Sequence, residues 1–278
     1  MSGGLINRIL TSSSDYGAGN RAVVFLQGCS FNCLYCCTPE TISQCVSCGR
    51  CIDSCITGAL TIGDDGLEFD ESLCNDCDEC LLACNKNSYP KALTMTVEQV
   101  MQKIIPIRDS ISGITVSGGE PSLQIEFVTE LFRAAKNLGL HTLIDSNGSI
   151  FYGDLPEFMD VCDGVMLDVK AFDLVEHQKL TGKDNQTVLR NLDYLLTNQK
   201  LSEVSTVIVP ALLNNEQTVE QISKIIAKSD NNVCYKLIKF RSHGVRQNLM
   251  STVSPSDEYM DNLVAISKAN GVLNVIVA

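Results

Sequence analysis

Twelve of the fourteen cysteines lie between Cys29 and Cys84, and the spacing of all but Cys37 falls into two patterns. Cys29, Cys33 and Cys36 form C-x3-C-x2-C directly after an apolar run. Three thiolates supply three of the four ligands that a cubane iron–sulfur cluster needs, so one iron keeps an open position. An open position separates a reactive metal from a structural one. The second pattern, C-x2-C-x2-C-x3-C, occurs twice. Cys45-Val-Ser-Cys48-Gly-Arg-Cys51-Ile-Asp-Ser-Cys55, followed by Ala59-Leu60-Thr61, is matched by Cys74-Asn-Asp-Cys77-Asp-Glu-Cys80-Leu-Leu-Ala-Cys84, followed by Ala92-Leu93-Thr94.

The repeated pattern is the ligand spacing of bacterial ferredoxins with two [4Fe–4S] clusters, in which three evenly spaced cysteines wrap one cube and the fourth reaches the other. It predicts crossed ligand sets: Cys45, Cys48, Cys51 and Cys84 for one cluster, and Cys74, Cys77, Cys80 and Cys55 for the other. The proline usual after the fourth cysteine is replaced by Ile56 and Asn85. Structural zinc also uses C-x2-C pairs, but it closes with four ligands and has no use for the third evenly spaced cysteine.

Elements must position these groups. The candidate strands are short and mostly β-branched: Ala22 to Gln27, Gly113 to Ser117, His141 to Asp145, Gly164 to Val169, Val204 to Val209 and Val233 to Phe240, with a last run from Val272 to Val277. Between them, apolar residues recur at helical spacing, as in Phe127, Leu131, Ala134, Ala135 and Leu138, or Val219, Ile222, Ile225 and Ile226. This is the pattern of βα units around a parallel sheet, and six units fit an open barrel or a doubly wound sheet equally. In both, ligands sit beyond the carboxyl ends of the strands. The polar signatures fall there: Gly28-Cys29, Gly118-Gly119-Glu120, Asp145-Ser146-Asn147-Gly148 and Asp168-Val169-Lys170. The segment from Thr38 to Leu93 breaks the rhythm. It holds ten Asp or Glu against three Lys or Arg, a net -7 of the chain's -12. It reads as an insert at 38–93 in a barrel made of 1–37 and 94–278.

The 278 residues carry 33 Asp plus Glu against 21 Lys plus Arg, which argues against nucleic acid or an anionic membrane as partner, since both need a basic face. The opening MSGGLINRIL lacks the charge and apolar run of a leader, and no run approaches a membrane span. The chain therefore reads as cytoplasmic, where thiols stay reduced and dense cysteines hold metal.

Gly28-Cys29-Ser-Phe-Asn-Cys33-Leu-Tyr35-Cys36 resembles the cluster loop of the radical S-adenosylmethionine (SAM) superfamily, and more narrowly of the glycyl-radical-enzyme activating enzymes. Asp15-Tyr-Gly17-Ala-Gly19-Asn-Arg21 is similar to that family's D-G-P-G-x-R entry, with Ala18 in place of proline. Gly118-Gly119-Glu120-Pro121, Asp145-Ser146-Asn147-Gly148 and Asp168-Val169-Lys170 follow in the family's order. The two-cluster insert resembles the larger members, in particular the YjjW-like activases.

The resemblance implies a partial (β/α)6 TIM-like barrel, three [4Fe–4S] clusters and SAM on the open iron at Cys29, Cys33 and Cys36. It places Gly118, Gly119 and Glu120 at the SAM ammonium, Asp168 and Lys170 near its methionine and ribose, and Tyr35, Cys36, Cys37, Asn147, Val169 and Arg241 around it. Asp145, Ser146, Met166 and Asp168 correspond to positions that hold a monovalent cation in part of the family. The implied reaction is reductive cleavage of SAM to methionine and a 5′-deoxyadenosyl radical, which takes hydrogen from a backbone glycine of a partner glycyl radical enzyme. The cofactors carry this anaerobic oxidoreductase chemistry, so no acid or base residue is assigned. Flavodoxin or ferredoxin is the implied electron donor, and a monomer is expected.

Three positions depart from the family. Cys37 and Arg241 stand where histidine is common, and Ser205 where an arginine enters the fifth strand. His177 and His243 are pocket candidates weighed against structural roles, and Cys162 and Cys234 are assigned to packing. Two rival functions remain open: a radical SAM enzyme acting on a small molecule or peptide, and an electron-transfer protein in which all clusters relay electrons and SAM does not bind.

Overall fold

The computed structural model describes residues 3–229, 233–246, 249–250 and 252–278. Its strands in chain order are β1 (Gly4–Ser13), β2 (Arg21–Leu26), β3 (Leu60–Gly63), β4 (Gly66–Phe69), β5 (Leu93–Met95), β6 (Gly113–Gly118), β7 (His141–Ser146), β8 (Gly164–Asp168), β9 (Leu201–Ile208), β10 (Cys234–Lys239) and β11 (Asn274–Val277). The helices are α1 (Glu79–Ala83), α2 (Val97–Ile104), α3 (Ile125–Lys136), α4 (Pro156–Val161), α5 (Leu174–Thr181), α6 (Gln186–Thr197), α7 (Asn215–Ile226) and α8 (Asp257–Ala269).

All six expected parallel strands form, as β2 and β6 to β10, and the C-terminal run forms β11 parallel to β10. The sheet order is β11-β10-β9-β8-β7-β6-β2-β1-β5. β6 lies beside β2, and from β6 to β11 each new strand adds beside the last, without the reversal that marks a doubly wound sheet. Side chains alternate across a strand. Val24, Val116, Ile144, Leu167, Val204 and Leu237 share a core with Val128 and Leu131 of α3, Leu192 of α6, Ile222 of α7 and Leu263 of α8. The residues between them, Phe25, Ser117, Asp145, Asp168, Ser205 and Lys236, line a cavity instead. One face is dry and helix-covered and the other polar and hollow. That decides for the open barrel, because a doubly wound sheet is covered by helices on both faces.

One expectation needs amending: Ala22 to Gln27 is not the first strand. β1 precedes it, antiparallel, and carries β5 on its other edge. Only Gly4 and Ile6 of β1 are buried, so its apolar alternation is too weak to read. Between β2 and β5 the chain forms the β3–β4 hairpin, α1 and a small core of Cys51, Leu60 and Cys80, against which Ile52, Cys55, Leu67, Phe69 and Leu81 pack. Among the described residues no helix is long and apolar enough to cross a membrane.

Candidate functional site

The loop carrying Cys29, Cys33 and Cys36 leaves β2 at the carboxyl end of the barrel and is held on every side. Gly28 and Cys29 donate backbone hydrogen bonds to Thr41 and Ile42 (2.8 and 2.9 Å), and Asn32 and Leu34 donate to Thr181 and Leu180 at the end of α5 (both 2.9 Å). Phe31 packs edge-on against His177, 5.4 Å between ring centroids. The Arg246 guanidinium donates to the Asn32 side-chain oxygen and the Cys33 carbonyl, each at 2.7 Å. Gly244, with φ of 77°, lies so close that a Cβ there would stand 2.2 Å from the Cys37 carbonyl oxygen.

The turn after β6 meets the same loop. Gly119 and Glu120 donate backbone hydrogen bonds to Leu26 and Gly28 (2.9 and 2.7 Å). A Cβ on Gly118 would stand 2.3 Å from the Leu26 carbonyl oxygen, and one on Gly119 2.1 Å from that of Gly28. The two glycines are therefore required by the approach of the cluster-loop backbone, and both still line the cavity. Glu120 is where the structure departs most from the reading by motif. Its carboxylate is fully buried, away from the cavity, and accepts from Ser122 N (3.0 Å), Ser146 Oγ (2.8 Å) and Asn147 N (2.7 Å). Burial raises its pKa. It staples the β6 turn to the β7 turn.

That staple also engages Ser146, whose hydroxyl donates to Glu120 and accepts from the Gly148 N–H (3.0 Å) while the residue borders the cavity with Asp145, Met166 and Asp168. Val169 has its side chain fully buried in the helix-side core, while Asp168 and Lys170 flank it on the cavity side. His177 is fully buried behind the cluster loop, and burial lowers its pKa to about 4, so it is a neutral buttress. His243, Arg241 and Cys37 do line the cavity, with Arg241 and His243 exposed. Cys162 packs as expected, its thiol on the Gly164 carbonyl (3.2 Å). Cys234 does not: it faces the cavity opposite Glu203.

The cavity has a volume of about 1550 Å³. At its upper end stand Cys29, Cys33, Tyr35 and Cys36. Phe31 N donates to Cys29 Sγ (3.4 Å), and the Asn147 amide lies 3.7 Å from the same sulfur and 3.2 Å from Ser30 Oγ. Burial pushes the Cys29 thiol up to about 12 and the Cys33 thiol to about 11, with Lys170 opposing the latter. As free thiols they would stay neutral. Soft sulfur donors kept from water and met by N–H donors suit a cluster, where iron replaces the proton.

On the wall, Lys170 Nζ is 2.5 Å from Asp168, Ser205 donates to the other Asp168 oxygen, and Lys170 lies 5.7 Å from the Tyr35 ring centroid. Burial would lower the Lys170 pKa, but Asp168, Tyr35 and Cys33 together more than reverse it. Asp145 accepts from Ser117 (2.7 Å), and burial followed by the Asp168 charge holds it well above the carboxylate range. Deeper, Lys236 Nζ pairs with Glu203 at 2.7 Å. Motif reading missed Ser205 as a partner of Asp168, the Lys236–Glu203 pair and the Arg246 clamp. Strand alternation could have found the first two; the clamp spans 213 residues and leaves no local signal.

In the middle segment, Cys45, Cys48, Cys51 and Cys84 line one small pocket, the crossed set expected from the spacing. Cys55 packs against the small core that contains Cys51 and Cys80. Among the described residues no three His, Cys, Asp or Glu side chains are close enough to bind a single ion. A cubane spaces its thiolates at four corners, farther apart than the ligands of one metal.

A model of the radical SAM superfamily matches residues 23–226. The chain is 30% identical, over 98% of its length and 96% of the relative's, to the indoleacetate decarboxylase activating enzyme of Tractidigestivibacter scatoligenes. It is 29% identical, over 90% of each chain, to the isethionate sulfite-lyase activating enzyme of Nitratidesulfovibrio vulgaris. In fold it is similar to QueE from Escherichia coli, with a TM-score of 0.56 over 99% of this chain and 93% of that one, at 14% identity. Cluster loop, open barrel and relatives agree: the chain belongs to the radical SAM superfamily and, within it, to the SAM-cleaving enzymes that activate glycyl radical enzymes.

Proposed function

We propose that the chain is a three-cluster activase in which residues 1–37 and 94–278 form the SAM-binding barrel and residues 38–93 an inserted ferredoxin-like domain. One observation carries the reading of the site: Cys29, Cys33 and Cys36 face the same cavity as Gly118, Gly119, Asp145, Asp168 and Lys170. When bound, the reduced cluster and SAM supply a 5′-deoxyadenosyl radical that removes hydrogen from a glycine Cα of the partner.

The chain's own residues hold and orient. Cys29, Cys33 and Cys36 would hold the cluster by three of its irons, leaving the fourth open for SAM. With Glu120 turned away, the ammonium of SAM falls to the Gly118–Gly119 backbone and the cavity-facing carboxylates of Asp145 and Asp168. Lys170, fixed by Asp168 and beside Tyr35, is the cation for the SAM carboxylate and ribose side. Arg241, Cys37 and His243 at the cavity rim complete the SAM pocket. A monovalent cation would take Asp145, Ser146, Met166 and Asp168, all of which line the cavity. The cavity of about 1550 Å³, lined by Cys29, Cys33 and Cys36, would hold both the cluster and SAM.

In the insert, Cys45, Cys48, Cys51 and Cys84 hold one cluster and Cys74, Cys77, Cys80 and Cys55 the other, in a path for electrons from flavodoxin or ferredoxin. The two named relatives activate a sulfite-lyase and a decarboxylase, and the partner proposed here is a glycyl radical enzyme of that kind. Anaerobic reconstitution should bind about twelve iron atoms per chain, four to each cube. Mixing with SAM, dithionite and a candidate partner should give a glycyl-radical EPR signal. About four irons would refute the three-cluster reading. SAM cleavage with no radical in any glycyl radical enzyme would favour a small-molecule or peptide substrate.

A further inference from the structure

The two halves of the cysteine repeat share a backbone but not its charges. Ser47 and Gly49 in the first half and Asp76 and Asp78 in the second all lie in the left-handed region, with φ of 52°, 73°, 55° and 58°. In each half the opening cysteine accepts an N–H from two residues on, Ser47 to Cys45 and Asp76 to Cys74, both at 3.4 Å. Left-handed residues placed this way turn successive N–H groups into a concavity that suits anionic sulfur. On this common scaffold the first half carries Ser47, Gly49 and Gly58 where the aligned second half carries Asp76, Asp78 and Lys91.

The three charged residues meet. Lys91 is 6% exposed; its Nζ is 2.8 Å from Asp78, 3.3 Å from Asp76, 5.3 Å from the Tyr89 ring centroid and 4.0 Å from Cys74 Sγ. A Cβ at Gly58 would meet nothing within 4 Å, but its φ of 70° suits glycine, so the first half carries no side chain at the position that Lys91 takes in the second. Asp78 keeps a backbone conformation better suited to the glycine that its counterpart has, and its carboxylate is the nearer anchor of Lys91. The two carboxylates are exposed to water, 87% and 55% of their side-chain surface, and Lys91 is not. Water screens the anions more than the buried cation.

We propose that Lys91 raises the reduction potential of the cluster held by Cys74, Cys77, Cys80 and Cys55, and so makes the two clusters of the insert inequivalent. This rests on the three-cluster reading above. The step concerned is the gain of one electron, supplied by a low-potential one-electron donor, with no proton transferred. A cation beside the cluster favours the reduced, more negative state.

The test uses the full chain with Cys29, Cys33 and Cys36 replaced by Ala, so that only the two insert clusters report. These are reconstituted anaerobically and titrated potentiometrically with EPR detection. Lys91→Met should move one midpoint to more negative potential, by at least about tenfold in the ratio of reduced to oxidised cluster, or about 59 mV for a one-electron couple. The other midpoint should stay in place, and Lys91→Arg, which keeps the charge, should match the parent. Lys91→Gln keeps polarity without charge and gives the same reading should Lys91→Met lose iron. Unchanged midpoints in charge-removing variants of full iron content would overturn the proposal, as would equal shifts in Lys91→Arg and Lys91→Met. A parent that binds fewer than two cubes would overturn the three-cluster reading beneath it, a failure read from iron content and not from potential.

Discussion

Glu120→Ala removes a buried carboxylate that accepts three hydrogen bonds. Two of its donors, Ser122 N and Asn147 N, are backbone groups that cannot turn elsewhere. Leaving each buried and unpaired costs about 1–3 kcal/mol. Removing an anion that burial disfavours returns part of that cost, so a net loss of roughly 2–4 kcal/mol is expected. Glu120→Gln keeps the shape but presents an amide donor to one of the donors, and should lose about 1–2 kcal/mol. The measurement is urea unfolding of the apo-protein under anaerobic conditions, followed by circular dichroism, beside SAM affinity of the reconstituted protein by calorimetry. A structural staple predicts that Glu120→Gln weakens SAM binding by less than about threefold, well under the 1.4 kcal/mol of a tenfold change. A Glu120→Gln protein of full stability whose SAM affinity fell about tenfold would show that the carboxylate reaches the SAM ammonium, and would refute the assignment.

Other outcomes follow from the packing of the cluster loop. Arg246→Ala leaves the Cys33 carbonyl and Asn32 without their clamp; the EPR spectrum of the SAM-binding cluster should broaden and its SAM affinity fall, while the insert clusters keep their signals. Gly119→Ala sets a methyl 2.1 Å from the Gly28 carbonyl oxygen, a backbone atom that cannot step aside, so the protein should reconstitute about four irons fewer. His177 binds fewer protons when folded, because burial lowers its pKa from 6.5 to about 4. Its contribution is fully present above pH 6.5 and is lost as pH falls toward 4, roughly 3 kcal/mol over that window. His177→Phe should flatten the acid limb of the apo-protein's stability curve; an unchanged limb would show that His177 titrates normally.

The six parallel strands were legible because each is a short, mostly β-branched run, and the first four end on a polar motif. β1 was not, since only Gly4 and Ile6 of its ten residues are buried. The choice between barrel and doubly wound sheet needed strand order, which periodicity does not encode. At the site, motif positions were legible but side-chain directions were not. Glu120 and Val169 belong to ligand-binding motifs, yet each side chain is buried away from the cavity, because a motif marks a stretch of backbone, and along a strand alternation sends every second residue away from it. The same alternation puts Cys234, Glu203 and Lys236 in the cavity. Cys37 and Gly244 meet only through the loop after β10, a contact that no local pattern signals.

The central claim is that only the incomplete cysteine set carries the chemistry. Its most direct test is 5′-deoxyadenosine formation by anaerobic, dithionite-reduced protein with SAM, comparing the parent with Cys33→Ala and Cys48→Ala. The parent and Cys48→Ala should both release 5′-deoxyadenosine, the latter with about one cluster less iron, and Cys33→Ala should release none. Release by Cys33→Ala, or its absence in a parent with an intact reduced cluster, would contradict the account.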